Sequence, residues 1–203
     1  MPLNPLDPLP RGCARALARA GADGFGGFFV QLVTAGNDTT KGMLSSGLLT
    51  LLRHPDQLAR LRADPTLLPG AVEEIIRYDN PLHYFRRTAL VDTELSGTRI
   101  AAGDKVAMYY TSANRDERVF ADPQTFDIRR KPNPHLSFGM GGHFCLGAHL
   151  ARLELTEALT VMTQRWPHAR RTGPAPWNPV NELGGPTTLP IEFGPRSGVR
   201  HAE

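Results

Sequence analysis

Phe138-Gly139-Met140-Gly141-Gly142-His143-Phe144-Cys145-Leu146-Gly147 sets one cysteine in a glycine-rich turn that opens into the apolar-periodic run Leu150-Ala151-Arg152-Leu153-Glu154-Leu155. Three glycines before the cysteine let the backbone turn tightly and lie close to a flat object. The helix predicted to follow points unpaired N–H groups and its positive dipole end at the sulfur, which favours thiolate over thiol. A thiolate held this way can ligate a metal. The plainer reading is a buried structural cysteine in a turn, and for a lone cysteine that is the commoner outcome. The spacing of the residues around it weighs against that reading.

The chain has 203 residues, 40% hydrophobic and 21% charged, which is enough for one sizeable core. Eighteen prolines and twenty glycines are many for a helical protein and predict irregular connections. The two cysteines, Cys13 and Cys145, lie far apart without framework spacing, which points to a reducing compartment. No apolar run approaches the roughly 20 residues needed to span a bilayer. The N-terminus also lacks the apolar core of a signal peptide. A cytoplasmic location is the expectation. A formal net charge of +3, with basic residues scattered among carboxylates, argues against nucleic acid as a partner.

Residues 1–24 read as a poorly ordered N-terminal extension, opened by the proline-dense Asn4-Pro5-Leu6-Asp7-Pro8-Leu9-Pro10. From Phe25 the texture changes, and 25–203 read as one compact unit of helices with small β-sheets. A long helix is predicted over 25–52 and interrupted near Ala35-Gly36-Asn37-Asp38-Thr39-Thr40. There glycine costs about 1 kcal/mol relative to alanine, and Asp, Asn and Thr compete for backbone hydrogen bonds. His54-Pro55 ends that helix and starts a short one. Pro69 opens another, which runs to Tyr78 and is stopped by Asn80-Pro81. Period-two patterning then predicts strands over 84–90, 93–96 and 105–111, with turns at Gly97-Thr98 and Ala102-Gly103-Asp104. A short helix over 112–120 and a long loop over 121–143 follow; loops of that length are usually functional. A strong helix over 146–166 ends at Pro167, and 187–193 is strand-like.

Other groups along the chain bear on chemistry. The polar interruption at 35–40 is either a tolerated kink or a widened groove where a small ligand meets an acid and a hydroxyl. Glu74-Ile75-Ile76-Arg77 puts a carboxylate and a guanidinium on one helical face; taken alone this is a common exposed ion pair worth a few tenths of a kcal/mol. Arg86 and Arg87 alternate in a strand, one facing in and one out, with a solvated charge as the default for either. His135 and the other histidines show no metal spacing among themselves and read as non-ligands.

These groups fall in a definite order. Ala35-Gly36-Asn37-Asp38-Thr39-Thr40, Glu74-x-x-Arg77, Arg87-x-Ala89, Ala113-Asn114-Arg115-Asp116, Phe120-x-Asp122-Pro123 and the cysteine loop together resemble the bacterial-type cytochrome P450 family over roughly 25–193. The resemblance implies a mainly α fold with small β-sheets, the C-terminal half of the P450 fold. It implies a haem-thiolate monooxygenase that inserts one atom of dioxygen into an apolar substrate, with haem b (iron protoporphyrin IX) as cofactor. Cys145 becomes the axial ligand of the haem iron, and Phe138 shields its sulfur. Gly139 and Gly147 belong to the same cofactor-binding loop. Arg87 and His143 pair with the haem propionates, a role that suits a guanidinium's bidentate grip.

By the same resemblance Ala35 and Gly36 shape the oxygen pocket, while Asp38 and Thr39 deliver protons to dioxygen. Glu74, Arg77 and Arg130 form a structural lock that holds the long loop presenting Cys145. Leu32 and Val33, the segment Leu82, His83 and Tyr84, and the segment Gly185, Pro186 and Thr187 contact substrate. Electrons come from a separate ferredoxin or flavoprotein. The finer wording resembles actinobacterial hydroxylases of sterol side chains, terpenoids or methyl-branched lipids. Members of the family are about twice as long, so the chain reads as a fragment from a truncated gene or a mis-called start. Two other readings stand beside a working monooxygenase. One is a non-catalytic haem-binding remnant; the other is an interaction module in which Cys145 is structural.

Overall fold

A computed structural model describes residues 21–180 and 182–195. Cys13 and most of the extension expected over 1–24 lie outside the described residues. Helix α1, Gly21–Arg53, is 33 residues long and begins before Phe25. It runs unbroken through the polar stretch at 35–40, contrary to the interruption read from the sequence. The competing hydroxyls are satisfied on the helix itself: Thr34 Oγ1 donates to the Val30 carbonyl at 2.8 Å and Thr39 Oγ1 to the Ala35 carbonyl at 2.6 Å. The first half of α1 is exposed, whereas Met43, Leu49 and Leu51 of its second half are buried.

Helix α2, Pro55–Ala63, starts on proline in its first turn, as the sequence implies. A 3-10 turn, Pro65–Leu67, is capped by Asp64, whose carboxylate accepts from Thr66 N at 3.0 Å. Helix α3, Leu68–Tyr78, buries Ala71, Val72, Ile75 and Ile76 on one stripe, and Glu74 and Arg77 beside it. Two glycines let it pack closely. A Cβ on Gly47 of α1 would lie 2.5 Å from Ile75 Cγ2, and one on Gly70 would lie 2.5 Å from the Ile128 carbonyl oxygen.

Strands β1, Tyr84–Thr88, and β4, Lys105–Tyr109, pair antiparallel with Arg87 opposite Val106. Both are shorter than expected. Ala89 N turns to the Asp104 carbonyl at 2.9 Å and the chain leaves the ladder. Between them β2, Thr93–Leu95, and β3, Thr98–Ile100, form a second hairpin. Thr98 therefore opens a strand rather than a turn, and Ser96 and Gly97, with φ of 50° and 77°, make the reversal alone. Helix α4, Tyr110–Ala113, springs directly from β4 and replaces the helix expected over 112–120. Asp116 stops it from continuing: its carboxylate accepts from Arg118 N at 2.9 Å, and its carbonyl from Phe120 N at 2.9 Å, which closes a turn.

The long connection ends in a 3-10 turn, Gly141–His143, and helix α5, Ala148–Arg165. The strand-like tail contributes only β6, Ile191–Glu192, paired with β5, Arg170–Arg171. The core joins α1, α2, α3 and α5 through Leu51, Leu58, Val72, Ile75, Leu155 and Leu159, and the connection adds Phe126 and Ile128. Among the described residues no helix is long and apolar enough to cross a membrane.

Candidate functional site

The Cys145 turn is shaped by two glycines in the left-handed region, Gly139 at φ 73° and Gly141 at φ 68°. Its backbone closes on itself: Cys145 N donates to the Phe138 carbonyl at 2.9 Å, Phe144 N to Gly141 at 3.1 Å and Gly139 N to Leu136 at 2.8 Å. The first amide of α5, Ala148 N, donates to the Cys145 carbonyl at 3.3 Å, so helix and turn are joined through backbone. The thiol is free and exposed. A Cβ on Gly147 would sit 4.0 Å from its sulfur. Met140, Phe144, Leu146 and Leu150 are all exposed beside it, an unusual density of uncovered apolar side chains.

Behind the turn lies an ion cluster whose Glu74 and Arg77 are fully buried. Glu74 receives Arg77 through Nε and Nη2 at 2.8 Å each, a bidentate fork. The same carboxylate accepts from Arg130 Nε at 3.2 Å, Asn133 Nδ2 at 3.2 Å and Asp127 N at 3.0 Å. Arg77 extends outwards to the carbonyls of Asn114 and Pro123 at 2.9 Å each. Asn114 in turn accepts from Leu136 N and donates to Ser137 Oγ, both at 2.8 Å. Two buried charges removed from water need this many partners to be tolerated. The cluster thereby fixes the segment immediately before Phe138.

These elements coincide with a known family. The cytochrome P450 family model matches residues 28–188. The chain belongs to the cytochrome P450 family. The methyl-branched lipid omega-hydroxylase of Mycobacterium tuberculosis is 49% identical over 168 residues, covering 82% of this chain and 39% of the relative. The steroid C26-monooxygenase of Mycolicibacterium smegmatis is 44% identical over 170 residues, covering 83% and 42%. Among solved structures, CYP109E1 from Bacillus megaterium in complex with testosterone superposes with a TM-score of 0.83 at 34% identity, over 85% of this chain and 48% of that one. The chain thus spans about 40% of the length of the curated P450s it matches.

Arg87 and His143 are both exposed. Arg87 donates to the Arg86 carbonyl at 3.1 Å and lies 6.0 Å from the Phe85 ring, and it makes no ion pair with an acidic side chain among the described residues. Arg86 is exposed as well, so β1 does not divide the two arginines between inside and outside. Phe85 meets Tyr110 edge-on at 5.9 Å, and Tyr110 Oη lies 3.6 Å from where a Gly139 Cβ would be. The β1–β4 hairpin is in this way tied to the cysteine turn.

On α1, Asp38 is exposed and accepts from Lys41 Nζ at 3.1 Å. Gly36 has open space around it. The segments around Leu82 and Gly185 do converge: His83 N donates to the Glu182 carbonyl at 2.9 Å, and a Gly185 Cβ would lie 3.2 Å from Gly42 Cα, one turn beyond Thr39. Leu32 and Val33 lie exposed nearly two turns earlier on the same helix.

Nothing in the sequence reading singles out Glu73, which accepts from Arg152 Nε at 2.6 Å and Nη2 at 3.0 Å and pairs with His135 Nε2 at 3.0 Å. Burial alone would raise its carboxyl, but hydrogen bonds from His135 and Arg152, and their charge, bring it down to about 2. Asp79 behaves oppositely. Burial raises it to about 7, against the opposing effects of Thr50, Arg115, Arg53 and His54. It borders a cavity of about 350 Å³ between the ends of α1 and α3. No signal in the sequence separates either acid from its neighbours.

The residues present suit a haem. Cys145 belongs to no group of three or more potential metal ligands among the described residues. An exposed thiol in a turn whose apolar side chains are uncovered, with Arg87 in no ion pair with an acidic side chain among the described residues, matches a flat apolar macrocycle that carries carboxylates.

Proposed function

We propose that this chain provides the thiolate-bearing haem site of a P450 monooxygenase that hydroxylates an apolar substrate. The observation that carries the reading is the free, exposed Cys145 in a backbone-closed glycine turn, braced from behind by the buried Glu74–Arg77–Arg130 cluster. In this reading haem b, when bound, supplies dioxygen activation, so that substrate C–H, dioxygen, two electrons and two protons give substrate C–OH and water. Cys145 would hold the haem iron through its thiolate and supply electron density to it. With haem bound against the turn, Phe138 and the apolar residues of the turn would exclude water from the sulfur. Arg87 and His143 would hold the haem carboxylates.

On α1, Thr39 presents a hydroxyl whose own proton is given to the Ala35 carbonyl, leaving its lone pairs to accept. Asp38 lies beside it as the group that exchanges protons with solvent. An apolar substrate is supported by the exposed Leu32 and Val33, and by relatives whose names specify a methyl-branched lipid and a steroid. Electrons arrive from a separate ferredoxin or flavoprotein, in a reducing, cytoplasmic setting that suits a free thiol.

The deciding measurement is the carbon-monoxide difference spectrum of the reduced chain after haem loading. A long-wavelength Soret band that disappears in Cys145→Ala is the expected outcome. Absence of haem uptake overturns the reading. A non-catalytic haem-binding module is the second reading, favoured by the exposure of Asp38 and its pairing with Lys41. The two separate on Thr39→Ala, which uncouples oxygen consumption from product in a working monooxygenase and changes nothing in a module without turnover.

A further inference from the structure

Arg152 is positioned to act on the cysteine turn from behind. It sits in the second turn of α5, seven residues after Cys145, and its guanidinium carbon lies 4.6 Å from the centroid of the Phe138 ring. Its donors are engaged elsewhere: Nε and Nη2 grip the two oxygens of Glu73 on α3 at 2.6 and 3.0 Å, and Nη1 donates to the Ala148 carbonyl of α5 itself at 3.4 Å. Glu73 is itself fixed by His135 Nε2 at 3.0 Å, three residues before Phe138. The planar cation is thereby locked in orientation, and its face is the part left to stack on the ring. Phe138 completes the path, because its carbonyl accepts from Cys145 N at 2.9 Å and its ring lies 6.3 Å from that of Phe144.

We propose that Arg152 is a positioning residue for Cys145. Oriented by Glu73, it pins the Phe138 ring and, through the Phe138 carbonyl, the backbone of the turn that presents the sulfur. The choice of arginine follows from two simultaneous demands. A carboxylate fork and a ring face must both be served, and lysine's point charge serves only one at a time. The consequence for a bound haem rests on the function proposed above; the consequence for the thiol does not.

The test uses the full chain without haem and follows alkylation of Cys145 by iodoacetamide, read by mass spectrometry of the Cys145 peptide. Arg152→Met is expected to raise the rate about three- to tenfold, the loosening that loss of one cation–ring contact allows. Arg152→Lys falls between the two. Phe138→Leu raises the rate similarly, and the double substitution Arg152→Met/Phe138→Leu adds nothing further, because both act through one path. An unchanged rate in Arg152→Met overturns the proposal. So does a fully additive double substitution, or a rate that rises only in proportion to the unfolded fraction measured by circular dichroism, since that is ordinary destabilisation.

In haem-loaded protein, Arg152→Met is expected to lower the share of the long-wavelength carbon-monoxide band while haem content is retained. A chain that takes up no haem strikes at the proposed function and leaves the alkylation result to stand or fall alone.

Discussion

Arg130 Nε meets the Glu74 carboxylate at 3.2 Å across 56 positions of sequence, and joins the long connection before the cysteine turn to helix α3. Its other donors are engaged by the carbonyls of Ala121 at 2.6 Å, Asp122 at 3.0 Å and Thr125 at 2.8 Å. One guanidinium thus gathers a segment that has no ladder of its own. The common helical pair that Glu74 and Arg77 suggest in isolation is, in the folded chain, the buried centre around which that segment is ordered.

Glu74→Ala should therefore be far more damaging than loss of a surface pair. It leaves Arg77 fully buried and Arg130 nearly so, both without their anion. Removing one partner of such a pair costs about 3–5 kcal/mol. Urea unfolding followed by circular dichroism should show that loss, whereas breaking an exposed pair such as Arg99–Asp92 should leave the unfolding midpoint almost where it was. A loss below about 1 kcal/mol at Glu74 would show that the cluster does not organise the connection.

Glu73 should make stability depend on acid pH. Its carboxyl is held at about 2 in the folded chain against an ordinary value of 4.5. Between those values the unfolded chain binds more protons than the folded one, so stability rises with pH there. The contribution is complete above about pH 4.5 and lost as pH falls through about 2. Glu73→Gln should flatten that part of the stability curve by about 1–2 kcal/mol, discounted for a group one-third open to solvent. Identical slopes for the two proteins over that window would contradict the assignment.

How far the sequence revealed the molecule depended on the range of the interaction. Proline and glycine acting locally placed the starts of α2 and α3 and the reversal at Gly97 to within a residue or two. The cysteine turn was legible because its glycines and the onset of α5 are consecutive. Ala35–Thr40 reads as a break yet is helical, since propensity counts a hydroxyl as a competitor whether or not it bonds back along the same helix. Glu73 escaped notice because its partners, His135 and Arg152, lie 62 and 79 positions away, and only the folded chain brings them together. Asp79 is polar and ends a helix, which in sequence reads as solvent-facing.

Two glycines should respond oppositely to alanine. Gly36 is inside α1 with open space where a Cβ would go. Gly36→Ala should stabilise by about 0.5–1 kcal/mol through lower entropy of the unfolded chain. Gly70 has the Ile128 carbonyl oxygen 2.5 Å from its would-be Cβ, and backbone cannot swing aside as a side chain does. Gly70→Ala should cost about 1–3 kcal/mol. Thermal midpoints moving in the same direction would refute this contrast. A Gly36→Ala chain that is more stable yet altered in oxygen consumption would separate a role in the oxygen pocket from a role in folding.

Asp79 supplies the opposite pH dependence to Glu73. Burial at the end of α3 raises its carboxyl from 3.8 to about 7, even though Thr50 donates to it and Arg115, Arg53 and His54 lie near. One of its oxygens is buried without a hydrogen-bond partner among the described residues. The folded chain then holds a proton that the unfolded chain releases between pH 3.8 and about 7, so stability falls as pH rises through that window. Above it the charged carboxylate is a standing cost. Asp79→Asn keeps the shape and removes the titration. The variant should match the parent below about pH 4 and exceed it above about pH 7, by on the order of 1–3 kcal/mol. Denaturant unfolding at the two pH extremes decides it. A variant that matches the parent at low pH but is less stable than it above about pH 7 would mean that Asp79 stays ionised in the fold and that its neighbouring arginines, not burial, govern it.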